Sequence, residues 1–365
     1  MRAARYLLRR IVRGALTLLL MIAITFGFYF AIEREPPLGF LFPDIAKGSS
    51  PTPQQIAMAK HVFYLDRSKI GLYVQYVGDL AHGDFGSSST IQNNKEIDGI
   101  RVQPPYAQMR ETLSILIGGA VLVVLLALPL GAISGSRIGS WADRVISFGA
   151  LVLVCFHPMM LGLILRNAGG RIHGLPTTGY CTFGKHAVPA GGTSFFGPGF
   201  EPCGGGPVDW FTHLLLPWLT FALLFLALYT RMIRASVAET IHEDFVRTAR
   251  AKGASNVRTL ARHVLPSAGL RVLTMVGMEI GTAIGVCIYI ESAFGFNGLG
   301  TAAVQELAGG LPFIVLPSML SIVVLITLIV VVGNLVVDAL YAVLDPRVGI
   351  QQGEQRTKSL VGGVF

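Results

Sequence analysis

Six stretches of this sequence are apolar over about 20 residues each, and they restrict the possible fold more than any other feature. The stretches are residues 14–32, 112–134, 146–165, 213–230, 272–293 and 313–337. A helix needs roughly 20 apolar residues to cross a hydrocarbon core about 30 Å thick. Apart from His213 at the first position of the fourth stretch, only Glu279, Glu291 and His157 interrupt the stretches with ionisable groups, whereas a soluble helix of that length needs a charged face. The sequence therefore predicts an all-α membrane protein with six transmembrane helices.

The composition agrees with this class. Of the 365 residues, 52% are hydrophobic and only 14% are charged, which argues against an ordinary soluble domain. The first apolar stretch follows a basic start, as in a secretory signal. It is too long for a typical signal, and no small-x-small cleavage site follows it. We therefore expect an uncleaved transmembrane helix.

The formal net charge of +8 follows the membrane pattern rather than that of a nucleic-acid-binding protein. Basic residues precede the first stretch, flank the second connection at Arg137 and Arg144, and concentrate at 231–271. None lies between Arg271 and Arg347. Because basic loops stay on the cytoplasmic side, both termini are predicted to be cytoplasmic and residues 33–111 and 166–212 external.

These assignments divide the chain into four regions. They are a stub with the first transmembrane helix (1–32), an external region (33–111), a transmembrane core (112–347) and a cytoplasmic tail (348–365). The core contains an external Gly-rich insertion, 166–212, and a cytoplasmic loop, 231–271.

The Gly-rich insertion carries Cys181 and Cys203. A disulfide is chemically permitted on the external side and would order such a loop. We predict this pair, against two free thiols or a zinc site that adds His186, because the spacing matches no compact metal-ligand pattern. Cys155 and Cys287 lie within apolar stretches and are expected to pack. The segment Gly179–Lys185 copies the spacing of a phosphate-binding loop up to its lysine, but no strand precedes it, so we interpret the match as chance.

The cytoplasmic loop is predicted to form two helices joined by a turn. Residues Arg234 to Gly253 are strong helix formers with acidic residues early, basic residues late and glycine at the end. A second helix is expected to be capped by Ser255 or Asn256. Its apolar side is formed by Val257, Leu260 and Val264, and Pro266 is expected to limit it. Small and basic residues along the first helix indicate a docking element for a cytoplasmic partner.

This loop resembles the coupling loop of importer permeases, with Ala249, Gly253, Leu265 and Pro266 at the characteristic places. Asp244–Gly253 is similar, almost letter for letter, to the first-permease type of oligopeptide and dipeptide ATP-binding-cassette (ABC) importers. Further matches, in shared order, cover most of residues 1–348 and include Tyr73–Tyr76, His82–Gly86, Thr112-Leu113, Leu175-Pro176, Gly179-Tyr180, Glu291, Gly298–Gly300, Asn334, Asp338, Tyr341 and Asp345–Arg347. The chain departs from the family pattern at Glu35–Pro37, at Asn297 and in the length of the external insertion.

The resemblance implies a type I ABC importer transmembrane domain in a bacterial inner membrane. Its implied partners are a second permease, two cytoplasmic ATPase subunits or domains and an external binding protein, a lipoprotein, that delivers peptides or similar small solutes. It implies no catalytic residue, metal or cofactor in this chain, with ATP and Mg²⁺ held by the ATPase subunits. The implied ATPase-coupling residues are Asp244, Arg247, Ala249, Arg250, Ala251, Lys252, Gly253, Leu265 and Pro266. No nucleic-acid partner is expected.

Two other functions remain as alternatives. An ion-coupled secondary transporter is disfavoured because the six stretches show no internal symmetry. The two helices predicted in the cytoplasmic loop would also have no role in such a transporter. A membrane-embedded enzyme is disfavoured because no HExxH, GxSxG or paired intramembrane histidine appears.

Glu279 and Glu291 are candidates for the translocation path, because a carboxylate at membrane depth is costly and marks a cavity or a partner by default. The alternative is that each reaches water or a backbone donor near a helix end. Small residues at every fourth position let helices approach closely in lipid. Two such sets occur in the sequence: Gly277, Gly281 and Gly285 in the fifth stretch, and Gly131 and Gly135 in the second. His157-Pro158 is interpreted as a kink rather than a ligand.

Overall fold

A computed structural model describes residues 2–32, 50–62, 68–85, 87–92, 95–101, 105–171, 175–181, 205–308 and 316–344. Within these residues the chain forms helices and one hairpin. In chain order they are α1 Arg2–Ile32, α2 Pro53–Val62, α3 Lys69–Ala81, β1 Ser87–Gln92, β2 Lys95–Arg101, α4 Tyr106–Ser136, α5 Trp141–Val154, α6 Pro158–Gly169, α7 Pro207–Thr240, α8 Asp244–Ala251, α9 Asn256–Thr259, a π-helical segment Leu260–Val264, α10 Leu265–Phe294, α11 Leu299–Ala308 and α12 Leu316–Leu344. The predicted all-α membrane class is confirmed.

Five helices are long and apolar enough to cross a membrane, namely α1, α4, α7, α10 and α12, and α5 with α6 forms a bent pair that counts as a sixth span if taken together. Each of the five extends beyond its apolar stretch, because helical hydrogen bonding continues into the polar ends. The predicted set of six is therefore five continuous helices and one broken one in the described part of the chain.

The third apolar stretch is broken where the kink was predicted. The axes of α5 and α6 differ by 106° across a short break. Pro158 occupies the first turn of α6, and the Nδ1 atom of His157 accepts a hydrogen bond from the backbone N–H of Met159 at 3.3 Å. Proline lacks the N–H that a continuous helix requires, and its ring clashes with the preceding turn, so one helix ends before it and another begins.

The chain divides into two compact units. The first comprises residues 1–7, 110–300 and 332–365, and the second comprises residues 8–109 and 301–331. In the first unit, α7 is the most enclosed candidate span and packs against α5, α6 and α10.

Glycines on α4 allow close contact with α7 in the first unit. A Cβ atom added at Gly131 would lie 2.6 Å from the side chain of Ile233, and one at Gly135 would lie 2.6 Å from the backbone oxygen of Arg234. The close helix approach predicted for these two glycines is thus confirmed.

In the second unit, α3 packs along α1. The Tyr73 hydroxyl donates to the carbonyl oxygen of Leu19 at 3.0 Å, and the ring of Phe26 contacts those of Tyr73 and Tyr76 edge to face. The hairpin pairs β1 with β2 antiparallel, with an irregularity between Ser88 and Thr90. This hairpin lies in the predicted external region and was not predicted from the sequence.

Candidate functional site

The first helix of the predicted cytoplasmic loop is divided. α7 continues to Thr240, and a turn separates it from α8. The predicted single helix from Arg234 to Gly253 is therefore wrong at this point. Glu243 has an extended backbone (φ −71°, ψ 150°), and its carbonyl oxygen accepts from the backbone N–H groups of Val246 and Arg247. Acidic residues stabilise a helix N-terminus, so Glu243 and Asp244 favour a new start here.

The C-terminus of α8 is a Schellman motif, in which a left-handed residue after the helix lets two N–H groups turn back to its last carbonyls. The N–H of Gly253 donates to the Arg250 carbonyl oxygen at 2.9 Å, and that of Ala254 donates to Ala249 at 3.2 Å. Gly253 has φ +82°, which L-residues with a side chain rarely adopt. The predicted glycine stop is confirmed.

The second helix begins as predicted but does not end as predicted. The Ser255 hydroxyl caps α9 by accepting from the N–H of Arg258 at 3.4 Å. The chain then passes through the π-helical segment directly into α10, with Pro266 in the first turn of that helix. Pro266 therefore does not limit the helix. The Leu265 N–H bonds to the Leu260 carbonyl, five residues back, and this wider turn precedes the proline that cannot donate.

One side of the loop is anchored to the core of the first unit. Val246 and Val264 are completely buried, and Ile241, Leu260 and Leu265 pack against the same core. Val257, predicted for this apolar side, is instead 77% exposed. Anchoring at both ends gives α8 a defined position rather than that of a free loop.

The opposite side of the loop is open. Asp244, Arg247, Arg250, Ala251, Lys252 and Gly253 are all exposed. Ala249 is half-buried, Leu265 packs inward and Pro266 is exposed at the base of α10, so the nine predicted residues do not share one face. Asp244 and Arg247 form a 3.7 Å ion pair that is largely in solvent and contributes little stability.

Two exposed apolar residues of the loop were not among the predicted coupling residues. Phe245 is 42% exposed, and Val257 is also exposed. The signal was available in the helical period, since Phe245 directly precedes the anchor Val246 and so points about 100° away from it. We call Phe245, Arg247, Arg250, Ala251, Lys252, Gly253 and Val257 the loop surface. It combines apolar, basic and small residues.

Similarity to known proteins identifies the family of the chain that contains this loop. Residues 127–350 match the family described as binding-protein-dependent transport system inner membrane component, and residues 3–92 match the N-terminal model of such membrane components. The chain belongs to this family. The permease interpretation is thereby confirmed over a secondary transporter or a membrane-embedded enzyme, and the protein is an ABC importer permease of the inner membrane.

Curated relatives agree over most of their length. The chain is 31% identical to a probable D,D-dipeptide transport system permease of Escherichia coli, over 78% of this chain and 82% of that protein. It is 29% identical to an oligopeptide transport system permease of Bacillus subtilis (83% and 92%) and 28% identical to a probable peptide ABC transporter permease of Sinorhizobium fredii (94% and 98%).

The two intramembrane glutamates of the permease differ in surroundings. Glu291 has no exposed surface, and its Oε1 atom accepts from the Thr112 hydroxyl at 2.6 Å. The Thr112 oxygen in turn accepts from the backbone N–H of Leu299 at 2.9 Å. A Cβ atom added at Gly298 would collide with the Glu291 carboxylate, and one at Gly300 would collide with the Ile288 side chain and lie 3.0 Å from that carboxylate. In this conformation Glu291 connects α4, α10 and the turn before α11 and lines no open path.

Glu279 and the three glycines of α10, Gly277, Gly281 and Gly285, are covered to different extents by the described residues. Glu279 is half-buried. Gly277 faces α12, where Val337 is 3.3 Å from a built Cβ atom, whereas Gly281 and Gly285 have nothing within 4 Å. Met278 and Tyr289 are exposed on the same helix at 77% and 42%. Part of α10 thus packs within the first unit, and part is left uncovered by the residues that the structure describes.

Cys181 is fully buried and disulfide-bonded, while Cys155 and Cys287 are free thiols. Cys203 and His186 lie outside the described residues, so the pairing of Cys181 with Cys203 stays a prediction. Beside Cys181, the Tyr180 hydroxyl accepts from the Trp210 indole at 3.1 Å, and the Gly179 N–H donates to Phe294 at 2.9 Å. Gly179 and Tyr180 fasten this part of the Gly-rich insertion to α10 and α7.

We expect Glu291→Leu to destabilise the permease, because it removes the acceptor of the buried Thr112 hydroxyl. The loss should be roughly 1–3 kcal/mol in the free energy of unfolding. Thr112→Val should act in the same direction, and the double variant should lose less than the sum of the two. Thermal unfolding of the purified protein in detergent measures this.

Glu279→Leu is the matched control, since Glu279 is not fully enclosed. It should change the unfolding temperature little. Equal destabilisation by the two leucine variants, or additive effects of the Glu291 and Thr112 variants, would contradict the structural role of Glu291.

Proposed function

We propose that this permease pairs with a second permease to form the translocation path of an importer that takes up peptides or similar small solutes. Two cytoplasmic ATPase subunits or domains supply the energy and hold ATP and Mg²⁺. An external binding protein, a lipoprotein, delivers the substrate. This chain itself carries out no bond chemistry.

The loop surface is the observation that carries the proposal. Exposure of phenylalanine and valine side chains to water is unfavourable in free energy. A mixed apolar and basic surface is typical of a docking site. Most of the surface stands on α8 and the turn after it, with Val257 on α9, and α8 is fixed to the core by Val246. An ATPase that binds this surface therefore moves a rigid element.

The orientation follows from charge. The loop surface lies within the 231–271 segment, where basic residues concentrate, so we place it in the cytoplasm with both termini. The external region 33–111 and the insertion 166–212 then face the binding protein. ATP-driven closure of the ATPase pair would move α8 and switch the spans between inward-open and outward-open states.

The uncovered part of α10 supports a path between two permeases. Glu279 is half-buried there, and Gly281 and Gly285 leave room for a partner helix or a solute. Peptides are the proposed substrate class because the curated relatives are named for peptide, dipeptide and oligopeptide transport.

Reconstitution tests the proposal. The permease is co-expressed with the second permease, ATPase and binding protein proposed as its partners, and the complex is placed in liposomes. We expect uptake of a radiolabelled alanyl dipeptide that requires both ATP and the binding protein. Uptake driven by an ion gradient without ATP would overturn the importer mechanism, and ATP-driven uptake that excludes peptides would overturn the substrate class.

A further inference from the structure

Three helices of the first unit meet at one buried carboxylate. Asp143, in the first turn of α5, is 4% exposed. Its Oδ1 atom accepts from the Ser134 hydroxyl of α4, and its Oδ2 atom accepts from the backbone N–H of Gly139 at 2.9 Å. Arg234 of α7 completes the set by donating from Nε to Oδ1 at 2.6 Å and from Nη2 to Oδ2 at 2.9 Å.

Some of these hydrogen bonds serve only to cap the N-terminus of α5. The Ser140 hydroxyl caps α5 by accepting from the Asp143 N–H at 3.2 Å, while the Asp143 carboxylate accepts from Gly139, one residue before the position that a capping box uses. Such a cap needs no cation. The guanidinium of Arg234 is therefore additional to what the local turn requires.

Arg234 joins this turn to the helix that leads to the loop surface. It lies on α7 six residues before that helix ends at Thr240, and α8 follows after three more residues. The backbone of α7 also contacts α4 directly, since a Cβ at Gly135 would lie 2.6 Å from the Arg234 carbonyl oxygen. The end of α7 and the α4–α5 turn are thus held together by both side-chain and backbone contacts.

We propose that Asp143 and Arg234 are a positioning pair that transmits the movement of α8 to the bent pair α5–α6. The inference rests on the proposed function and adds a route inside this chain. A bidentate guanidinium–carboxylate contact fixes orientation as well as distance, so α5 must follow α7 when the loop surface is displaced. The break between α5 and α6 is then where the displacement changes the path, because α5 moves with α7 while α6 remains packed against α10.

Substitutions at the pair separate coupling from folding. Arg234→Lys keeps the charge but loses the two-pronged geometry, and Asp143→Asn keeps the shape but loses the charge. In the reconstituted complex we expect each variant to retain most of its ATP hydrolysis and to lose roughly tenfold in dipeptide taken up per ATP hydrolysed. Arg144→Gln, at an exposed neighbour, is the control and should keep the wild-type ratio.

A covalent link provides a rescue. Asp143→Cys with Arg234→Cys, in a Cys155→Ser background that removes the exposed free thiol, should have a low uptake-to-hydrolysis ratio when reduced. Joining the two thiols with a short homobifunctional reagent should restore it. A purely structural role would lower uptake and hydrolysis together and leave the ratio unchanged.

The outcomes are distinguishable. A wild-type ratio in both Arg234→Lys and Asp143→Asn, or proportional loss of uptake and hydrolysis, overturns the positioning pair while leaving the importer intact. A wild-type complex that hydrolyses ATP without taking up the dipeptide overturns the proposed function, and this inference with it.

Discussion

Replacing Gly253 with valine is expected to abolish ATP-driven uptake while the permease remains inserted in the membrane. Gly253 lies at φ +82° in the Schellman motif that ends α8. A left-handed conformation costs an L-residue about 1–2 kcal/mol, and a β-branched side chain resists it further. The end of an eight-residue helix should then unwind, and the loop surface should lose its shape. Uptake, ATP hydrolysis and retention of the ATPase subunit on the purified complex measure the effect.

Two variants separate backbone strain from partner contact. Among the described residues, a Cβ atom at Gly253 would meet nothing within 4 Å. Gly253→Asn tolerates the left-handed conformation, so a loss of ATPase binding in this variant would report a clash with the partner rather than strain. Gly83→Val introduces the same strain in a second Schellman motif, with φ +79°, at the end of α3. It should leave uptake and ATPase binding intact.

Lys252→Ala should be milder, because an exposed charge typically contributes about 1 kcal/mol or less. Normal uptake by Gly253→Val, with normal expression, would mean that the loop surface is not where energy enters the permease.

Replacing Gly135 with leucine is expected to cause the largest loss of stability. The new Cβ would lie 2.6 Å from the Arg234 carbonyl oxygen and 2.9 Å from the Val237 side chain. A backbone atom cannot rotate away as a side chain can, so α4 and α7 must separate. We expect a loss of about 3 kcal/mol, which for a chain of 365 residues corresponds to a drop of roughly 4 °C in the thermal midpoint in detergent.

Gly149→Leu is the matched control, since Gly149 lies inside α5 and a Cβ there has nothing within 4 Å. Both changes improve helix propensity in the same way, so the difference between them isolates the contact. Equal midpoints for the two variants would show that α4 and α7 do not approach as closely as the structure places them.

Much of the candidate site was predictable because its signals are local. The acidic-to-basic gradient of α8, the glycine at its end and the serine that caps α9 each act within a few residues, and each appears where the sequence predicts it. The helix break at Ile241–Glu243 was not predicted. Glu243 and Asp244 favour a helix start locally, and the change of direction places Val246 of α8 in the core.

The different surroundings of Glu279 and Glu291 could not be predicted from the sequence. Both are single carboxylates in an apolar stretch, so their local patterns are alike. Glu291 is enclosed because Thr112, 179 residues away, supplies a donor and because two glycines leave room for it. Glu279 has no comparable surroundings in the described contacts.

By itself the sequence determined the membrane class, the positions of the apolar helices, the kink at His157-Pro158 and the helical loop, because hydrophobicity and backbone propensity are properties of neighbouring residues. The tertiary structure alone decided which faces of these helices are covered. It buried Val246 and exposed Phe245, divided the α10 glycines between a packed and an open face, and brought Arg234 to Asp143 across 91 residues of chain. Such contacts depend on how separate helices pack, and no local pattern encodes them.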